Sequence, residues 1–169
     1  MEKNSKLDKN IITKLTKISI FNGLSEDEIE KLVTNSKIVN YKKNNFIIEE
    51  GSSGNEMFII LEGKVRVYKK TFSNELYTVI DLSENDNPFF GEIALLDSDK
   101  RSASILTLTD TICLVIDKES FEKTANENYK IGYFVIKNIA KILSLRLRSA
   151  NKDIITLFEA LKNEIEFED

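Results

Sequence analysis

The residues best suited to bind a charged ligand lie at positions 90–103, in the stretch FGEIALLDSDKRSA. Gly91 lets the backbone approach a ligand closely, and Glu92 to Leu96 predict a single helical turn whose first N–H groups point at an anion. Arg101 adds a charged guanidinium fork, and Ser102 adds a hydroxyl. This spacing predicts a cradle for one phosphate group.

The acid beside this cradle is informative, because a carboxylate repels phosphate unless it has another task. Glu92 has such a task if it accepts a hydrogen bond from a sugar hydroxyl. One phosphate and one ribose hydroxyl, bound by a short segment without a metal-binding motif, fit a cyclic mononucleotide better than ATP. Two alternatives stay open: a capped loop in which Arg101 is a surface charge, and a cradle that binds another small anion or nothing.

Composition excludes several kinds of catalytic site. The chain has 169 residues, no histidine and one cysteine, which excludes Ser-His-Asp and Cys-His catalysis, histidine-ligated haem and nearly all common zinc sites. The acid pairs Glu49/Glu50 and Asp97/Asp99 suggest a metal or hydrolytic site, but such acids usually point apart or into solvent. Cys113 lies in an apolar run and is expected to be a buried hydrophobe. We expect neither an enzyme nor a cofactor.

Charge and hydropathy narrow the partners and the location. The net charge of −4 and the pI near 5.1 give no general attraction to nucleic acid or to anionic membranes. The apolar runs are far shorter than the ~20 residues that a bilayer requires, and the first residues are polar, without a signal-peptide segment. We therefore expect no nucleic-acid or membrane partner and a cytoplasmic location.

The elements that must position the cradle change type along the chain. Helical spacing from Leu7 to Ile18 precedes Ser25-Glu26-Asp27-Glu28, which is typical of a capping box opening a second helix that ends near Ser36. From Ile38 to about Ile116, short β-rich runs alternate with Gly, Asn, Ser and Asp clusters, as in a small barrel or sandwich. Helical spacing returns after Asp117. One domain of this length is expected.

A heptad pattern marks the last helix. The apolar residues that alternate along it in steps of four and three are Ile136, Ala140, Leu143, Leu147, Ala150, Ile154, Leu157 and Leu161. A stripe of this kind predicts a parallel homodimer, because beyond Ala150 the helix is expected to outrun the barrel and expose its seam. The alternative is that the stripe packs on the chain's own barrel, which we expect for its first turns.

The cradle segment resembles the phosphate-binding cassette of the cyclic-nucleotide-binding domain family, which includes the bacterial catabolite activator protein and the regulatory subunits of protein kinase A. The resemblance covers roughly residues 11–150. Residues 15–32 are similar to the family's first helices, and residues 47–65 are similar to its first barrel strands. It implies an α+β fold: a jelly-roll-like β-barrel flanked by N-terminal helices and a long C-terminal helix.

The same resemblance implies the organisation of the chain. An N-terminal helical segment is expected at 1–36 and the cyclic-nucleotide-binding barrel at 37–117, with the cassette at 90–103. The C-terminal helices, at 118–165, would serve as lid and dimerisation helix. A stand-alone bacterial-like module is expected, without the helix-turn-helix of the catabolite activator, because no such motif can follow Phe167.

Each cassette residue receives a role from the resemblance. Gly91 matches the cassette glycine, Glu92 the acid that holds the ribose 2′-hydroxyl, and Arg101 the arginine that binds the phosphate. The residues that complete the phosphate site are Ile93, Ala94, Leu95, Ser102 and Ala103.

A residue of the C-terminal helix covers the base in this family. Arg146 is our candidate, although Arg148 and Asn151 remain open, and Leu95 or Leu96 would relay the movement of the cassette to the helix. The implied function is a regulatory module that binds a cyclic nucleotide and acts on an unknown downstream protein through conformational change. The resemblance to bacterial domains favours cAMP, and cGMP stays open because Ser102 could contact either. The rival hypothesis is a protein-interaction module with a vestigial pocket.

Three turns are predicted from glycine and asparagine. Gly63 lies between two β-rich runs and predicts a hairpin turn. Asn44 and Asn85 stand where the family usually has glycine, and asparagine is the next residue to accept a left-handed conformation. We expect both turns to be preserved.

Overall fold

The computed structural model describes residues 8–86 and 88–166. Helices α1 (Lys9–Leu15) and α2 (Glu26–Val33) flank a 3₁₀ turn at Ser19–Phe21. Two further helices, α3 (Lys118–Glu127) and α4 (Tyr129–Glu166), follow the last strand. The strands are β1 (Lys37–Tyr41), β2 (Phe46–Ile48), β3 (Glu56–Glu62), β4 (Lys64–Lys70), β5 (Leu76–Ser83), β6 (Phe89–Phe90), β7 (Ser104–Thr107) and β8 (Thr111–Asp117).

The strands form two four-stranded antiparallel sheets, in the orders β1-β8-β3-β6 and β2-β7-β4-β5. Together with the helices on either side, this confirms the predicted α+β fold. The sequence did not predict the two-residue strand β6, which forms beside β3 at Phe58 and Ile59.

The central strands β3 and β8 are buried on both faces, which explains their unbroken apolar sequences. On one face, Ile59 and Leu114 pack against the helices. On the other, Phe58 and Cys113 pack between the two sheets. Burial raises the pKa of the Cys113 thiol to about 12, so this cysteine is a buried hydrophobe, as its apolar surroundings predict.

Turn geometry agrees with the sequence at Asn44 and differs elsewhere. Asn44 is left-handed, with φ 64°. Asn85 lies in a turn closed by backbone bonds between Ser83 and Asp86 at 3.0 and 3.1 Å, but it is not left-handed. The second left-handed asparagine is Asn74, with φ 63°, in the turn between β4 and β5. Gly63, with φ 103°, does not form a hairpin, because β3 and β4 belong to different sheets. Its turn carries the chain from one sheet to the other.

The capping box at the start of α2 is present, as predicted. The Ser25 hydroxyl accepts from the Glu28 N–H at 3.3 Å, and the Glu28 carboxylate accepts from the Ser25 N–H at 2.8 Å. The Lys130 ammonium also donates to Glu28, at 2.9 Å, and this bond is the main reason that the pKa of Glu28 is lowered. The helix ends at Val33 rather than near Ser36.

The first half of α4 is fixed to the N-terminal helices by a polar contact. Asn138 is buried, and its side-chain amide donates to the carbonyl oxygens of Ile20 at 3.1 Å and Asn22 at 2.9 Å. Gly23 beside it leaves room for the ring of Phe134, which a Cβ would overlap. The start of α4 therefore has a defined position on the domain.

We expect Asn138→Ala to lower the free energy of unfolding by about 1 to 3 kcal/mol, because the buried Ile20 carbonyl and the partly buried Asn22 carbonyl lose their donor. Chemical denaturation measures this loss. The matched control is Asn151→Ala, on the exposed part of the same helix, which we expect to change stability by less than about 0.5 kcal/mol. Equal effects of the two substitutions would show that the Asn138 contacts do not stabilise the fold.

Candidate ligand-binding site

The cassette turns at a glycine that the geometry requires. Gly91 is left-handed, with φ 72°, and precedes a 3₁₀ turn at Glu92–Leu95. A Cβ on Gly91 would lie 3.0 Å from the Arg101 Nη1 atom and 3.0 Å from the Glu56 carbonyl oxygen. Both the backbone conformation and the lack of space favour glycine here.

Arg101 is held by its backbone and by its guanidinium. Its N–H donates to the Ser52 carbonyl at 2.9 Å, and its carbonyl accepts from the Gly51 N–H at 2.8 Å. Nη1 donates to the carbonyls of Glu56 at 2.8 Å and Gly91 at 3.5 Å. Nη2 forms an ion pair with the Glu56 carboxylate at 2.9 Å. The side chain is only 8% exposed.

The surroundings of Arg101 oppose and support its charge at the same time. Burial lowers the pKa of the guanidinium, and the nearby Glu56 carboxylate works in the opposite direction. The guanidinium carbon also lies 5.9 Å from the ring centroid of Phe58, which stacks on Phe90 at 5.1 Å. An aromatic face of this kind attracts a cation. Arginine stays protonated in proteins, so the site holds a fixed positive charge.

Gly54 makes room for this guanidinium. A Cβ at that position would lie 2.6 Å from the Arg101 Nη2 atom and 2.7 Å from its Nε atom. The loop before β3 thus contributes to the site both by its backbone bonds to Arg101 and by the missing side chain.

Glu92 is also buried and paired. Its side chain is 2% exposed, and its Oε1 atom accepts from Nη1 of Arg146, whose side chain is half exposed. This contact joins the cassette to α4 across 54 positions of sequence. Arg146, the candidate for covering a base, therefore lies at the acid expected to bind the ribose.

The other predicted site residues differ in exposure. Ala94 and Leu95 are buried, Ile93 and Ala103 are half-buried, and Ser102 is exposed. The Ala94 N–H donates to the Gly91 carbonyl at 3.1 Å within the turn.

Of the two leucines proposed as relay, Leu95 belongs to the core that contains α4 residues, whereas Leu96 is 40% exposed. A packed route from the cassette to the helix therefore runs through Leu95.

Two residues of the site were missed from the sequence. Glu56 lies at the start of β3, remote in sequence from the cassette, and only the fold brings it to Arg101. Gly54 was interpreted only as part of a loop, because nothing in the sequence around it indicates that the Arg101 side chain packs against it.

The described part of the chain has no group of three or more His, Cys, Asp or Glu side chains placed to hold a metal ion. Among the helices at residues 8–86 and 88–166, none combines the length and the hydropathy of a membrane span.

Comparison with known proteins decides the family. The family model described as "Cyclic nucleotide-binding domain" matches residues 38–128, more than half of the chain. The chain belongs to the cyclic nucleotide-binding domain family. The resemblance noted in the cassette is thereby confirmed.

Relatives within this family include protein kinases and bacterial receptors. The chain is 34% identical over 130 residues to cGMP-dependent protein kinase 2 of Mus musculus, covering 73% of this chain and 17% of the kinase. It therefore spans about a sixth of that relative. It is 26% identical over 149 residues to the cyclic AMP receptor protein of Thermus thermophilus, covering 88% of this chain and 66% of the receptor.

Solved structures of the family share the fold. The catabolite activator protein of Thermus thermophilus superposes with a TM-score of 0.72 at 26% identity, covering 82% of this chain and 62% of that one. The cAMP-bound PfPKA-R superposes with a TM-score of 0.63 at 31% identity, covering 73% of this chain and 43% of that one.

We expect Arg146→Ala to lower the free energy of unfolding by about 1 to 3 kcal/mol, because the buried Glu92 carboxylate loses its counter-charge. Denaturant titration at neutral pH tests this, with Arg148→Ala as the control two positions along the helix. In the double variant Arg146→Ala with Glu92→Gln, part of the loss should be recovered, because no buried charge is left unpaired. If the double variant loses as much stability as the single variants Arg146→Ala and Glu92→Gln added together, the pair contributes nothing.

Proposed function

We propose that this protein binds a cyclic mononucleotide and acts in the cytoplasm as a non-catalytic regulatory module on a downstream protein. The observation that carries the proposal is the bond from the buried Arg101 to the carbonyl of Gly91, which places the guanidinium beside the next residue in the chain, the buried Glu92. Arg101 has the charge for a phosphate, and Glu92 has the carboxylate for a ribose hydroxyl. Membership of the family supports the same assignment.

The ribose position is compatible with the pair between Arg146 and Glu92. Arg146 contacts the Oε1 atom, and a carboxylate can accept several hydrogen bonds through its two oxygens. A ribose 2′-hydroxyl would donate to the carboxylate beside Arg146, and the guanidinium would then face the base from α4. This arrangement gives Arg146 its proposed covering role, with the backbone amides of the turn, Ser102 and Ala103 at the phosphate.

We propose cAMP as the better ligand, with cGMP as the alternative. Support for cAMP comes from the cAMP-bound relative at 31% identity and from the Thermus cyclic AMP receptor protein. The matches to cGMP-dependent kinases make cGMP the necessary comparison in every titration.

We expect Arg101→Ala to weaken binding of cAMP at least about 100-fold, because a buried charge-assisted contact to the phosphate is lost. Isothermal titration calorimetry with cAMP and cGMP measures the change. The control is Arg66→Ala, which removes an arginine that pairs instead with Asp81 on β5, and should leave the affinity unchanged. Equal affinity of Arg101→Ala and the unaltered protein would refute the phosphate site.

We also propose a parallel homodimer formed by α4. Inner residues of its first turns, such as Ile131, Val135 and Ile139, are buried on the domain. Farther along, Leu145 and Ile155 are 60% and 59% exposed on other sides of the helix. The apolar residues that share one side and are exposed by 59% to 69% are Leu147, Ile154, Leu157, Phe158 and Leu161. They lie on one stripe of the helix, and a second copy of that stripe would cover them at roughly 25 cal/mol per Å² of apolar surface.

Dimerisation is tested by light scattering of the full chain and of a version that ends at Ser149. We expect the mass of a dimer for the full chain at micromolar concentration and the mass of a monomer for the shortened one, because the exposed seam is then removed. The measurement is repeated with cAMP, since the same helix carries Arg146. A full-length monomer under both conditions would contradict the coiled coil.

A further inference from the structure

The guanidinium proposed to bind phosphate already has an anionic partner. The Glu56 carboxylate accepts from Nη2 of Arg101 at 2.9 Å, and the carbonyl of the same residue accepts from Nη1 at 2.8 Å. A carboxylate and a phosphodiester are both anions that accept from the same N–H groups of arginine. Glu56 therefore already neutralises part of the positive charge of Arg101 that the ligand phosphate would contact.

The two members of this pair differ in their freedom to move. The Arg101 side chain is 8% exposed and is held by the carbonyls of Glu56 and Gly91, whereas the Glu56 side chain is 39% exposed and has one further bond, from the Asn55 N–H to Oε2 at 3.1 Å. Glu56 also lines an open groove of about 790 Å³, beside Ser52, Ser53 and Gly54. Arg101 lines the same groove but is almost wholly covered, so the more exposed carboxylate is the member of the pair with space to turn into the groove.

We propose that Glu56 is a competitor built into the site, which the phosphate of the ligand must displace from Arg101. This inference rests on the proposed cyclic-nucleotide function. Two anions at one guanidinium repel each other, so the interaction lost between Glu56 and Arg101 is subtracted from the affinity for the ligand. Glu56 thereby sets the affinity below the value that Arg101 alone would allow.

A purely structural role for Glu56 makes a different prediction. Arg101 keeps its backbone bonds to Gly51 and Ser52, and its Nη1 bond to the backbone carbonyl of residue 56, when the carboxylate is changed. Glu56→Gln retains the shape and an oxygen acceptor but removes the charge. If Glu56 only positioned Arg101, this substitution would weaken the fold and the ligand affinity together. If it competes, stability falls while affinity rises.

The experiment measures both quantities on the full chain. Isothermal titration calorimetry with cAMP and cGMP gives the affinity, and thermal unfolding without ligand gives the stability. We expect Glu56→Gln to bind the preferred cyclic nucleotide roughly three- to tenfold more tightly and to unfold at a lower temperature. Glu49→Gln is the matched control, because it removes the same charge near the groove without a bond to Arg101, and should leave the affinity within about twofold.

The affinities of the variants separate failure of the competitor from failure of the cyclic-nucleotide function. Equal or weaker binding by Glu56→Gln, or an equal gain in Glu49→Gln, overturns the competitor while leaving the cyclic-nucleotide function intact. If neither the unaltered protein nor Arg101→Ala nor Glu56→Gln binds either nucleotide, the proposed function fails and the competitor fails with it. Tighter binding restricted to Glu56→Gln, accompanied by lower stability, supports both.

Discussion

A guanidinium withdrawn from water must find counter-charges and acceptors inside the protein, because the loss of hydration is otherwise too costly. Arg101 imposes this constraint on the site. The Glu56 carboxylate supplies the counter-charge, the carbonyls of Glu56 and Gly91 accept hydrogen bonds, and the ring of Phe58 lies beside the guanidinium. Gly54 and Gly91 lack side chains where one would collide with the guanidinium. The cassette, the loop before β3 and the inner aromatic pair are thus organised around one charge.

The same constraint acts on Glu92, with the charges exchanged. In one pair the cation is buried and the anion, Glu56, is partly exposed; in the other the anion is buried and the cation, Arg146, is half exposed. In both pairs the buried member is the group assigned to the ligand. The exposed member has the freedom to move. A site of this kind is electrostatically satisfied without a ligand, so the proposed ligand would replace Glu56 at Arg101 and share the Glu92 carboxylate with Arg146.

Local sequence was sufficient where local chemistry decides the structure. The cassette spacing from Gly91 to Arg101 and the capping box at Ser25 involve neighbours in the chain, and both could be predicted. The pair between Arg101 and Glu56 spans 45 positions and depends on how the loop before β3 meets the cassette. Likewise, the sequence around Gly63 shows a turn but not that the next strand joins the other sheet. Contacts of this kind are set by topology, which apolar spacing does not specify.

The length of α4, 38 residues, has a mechanical consequence. Ile139 is the last fully buried residue of the helix, and Arg146 lies about 10 Å beyond it at the helical rise of 1.5 Å per residue. The end of the helix, at Glu166, lies about 40 Å beyond the same point. If the helix pivots there as a rigid rod, it is a lever with a ratio of about four. A shift of ~1 Å where Arg146 meets Glu92, the scale of a side-chain adjustment, becomes ~4 Å at the far tip, about three-quarters of the rise of one helical turn.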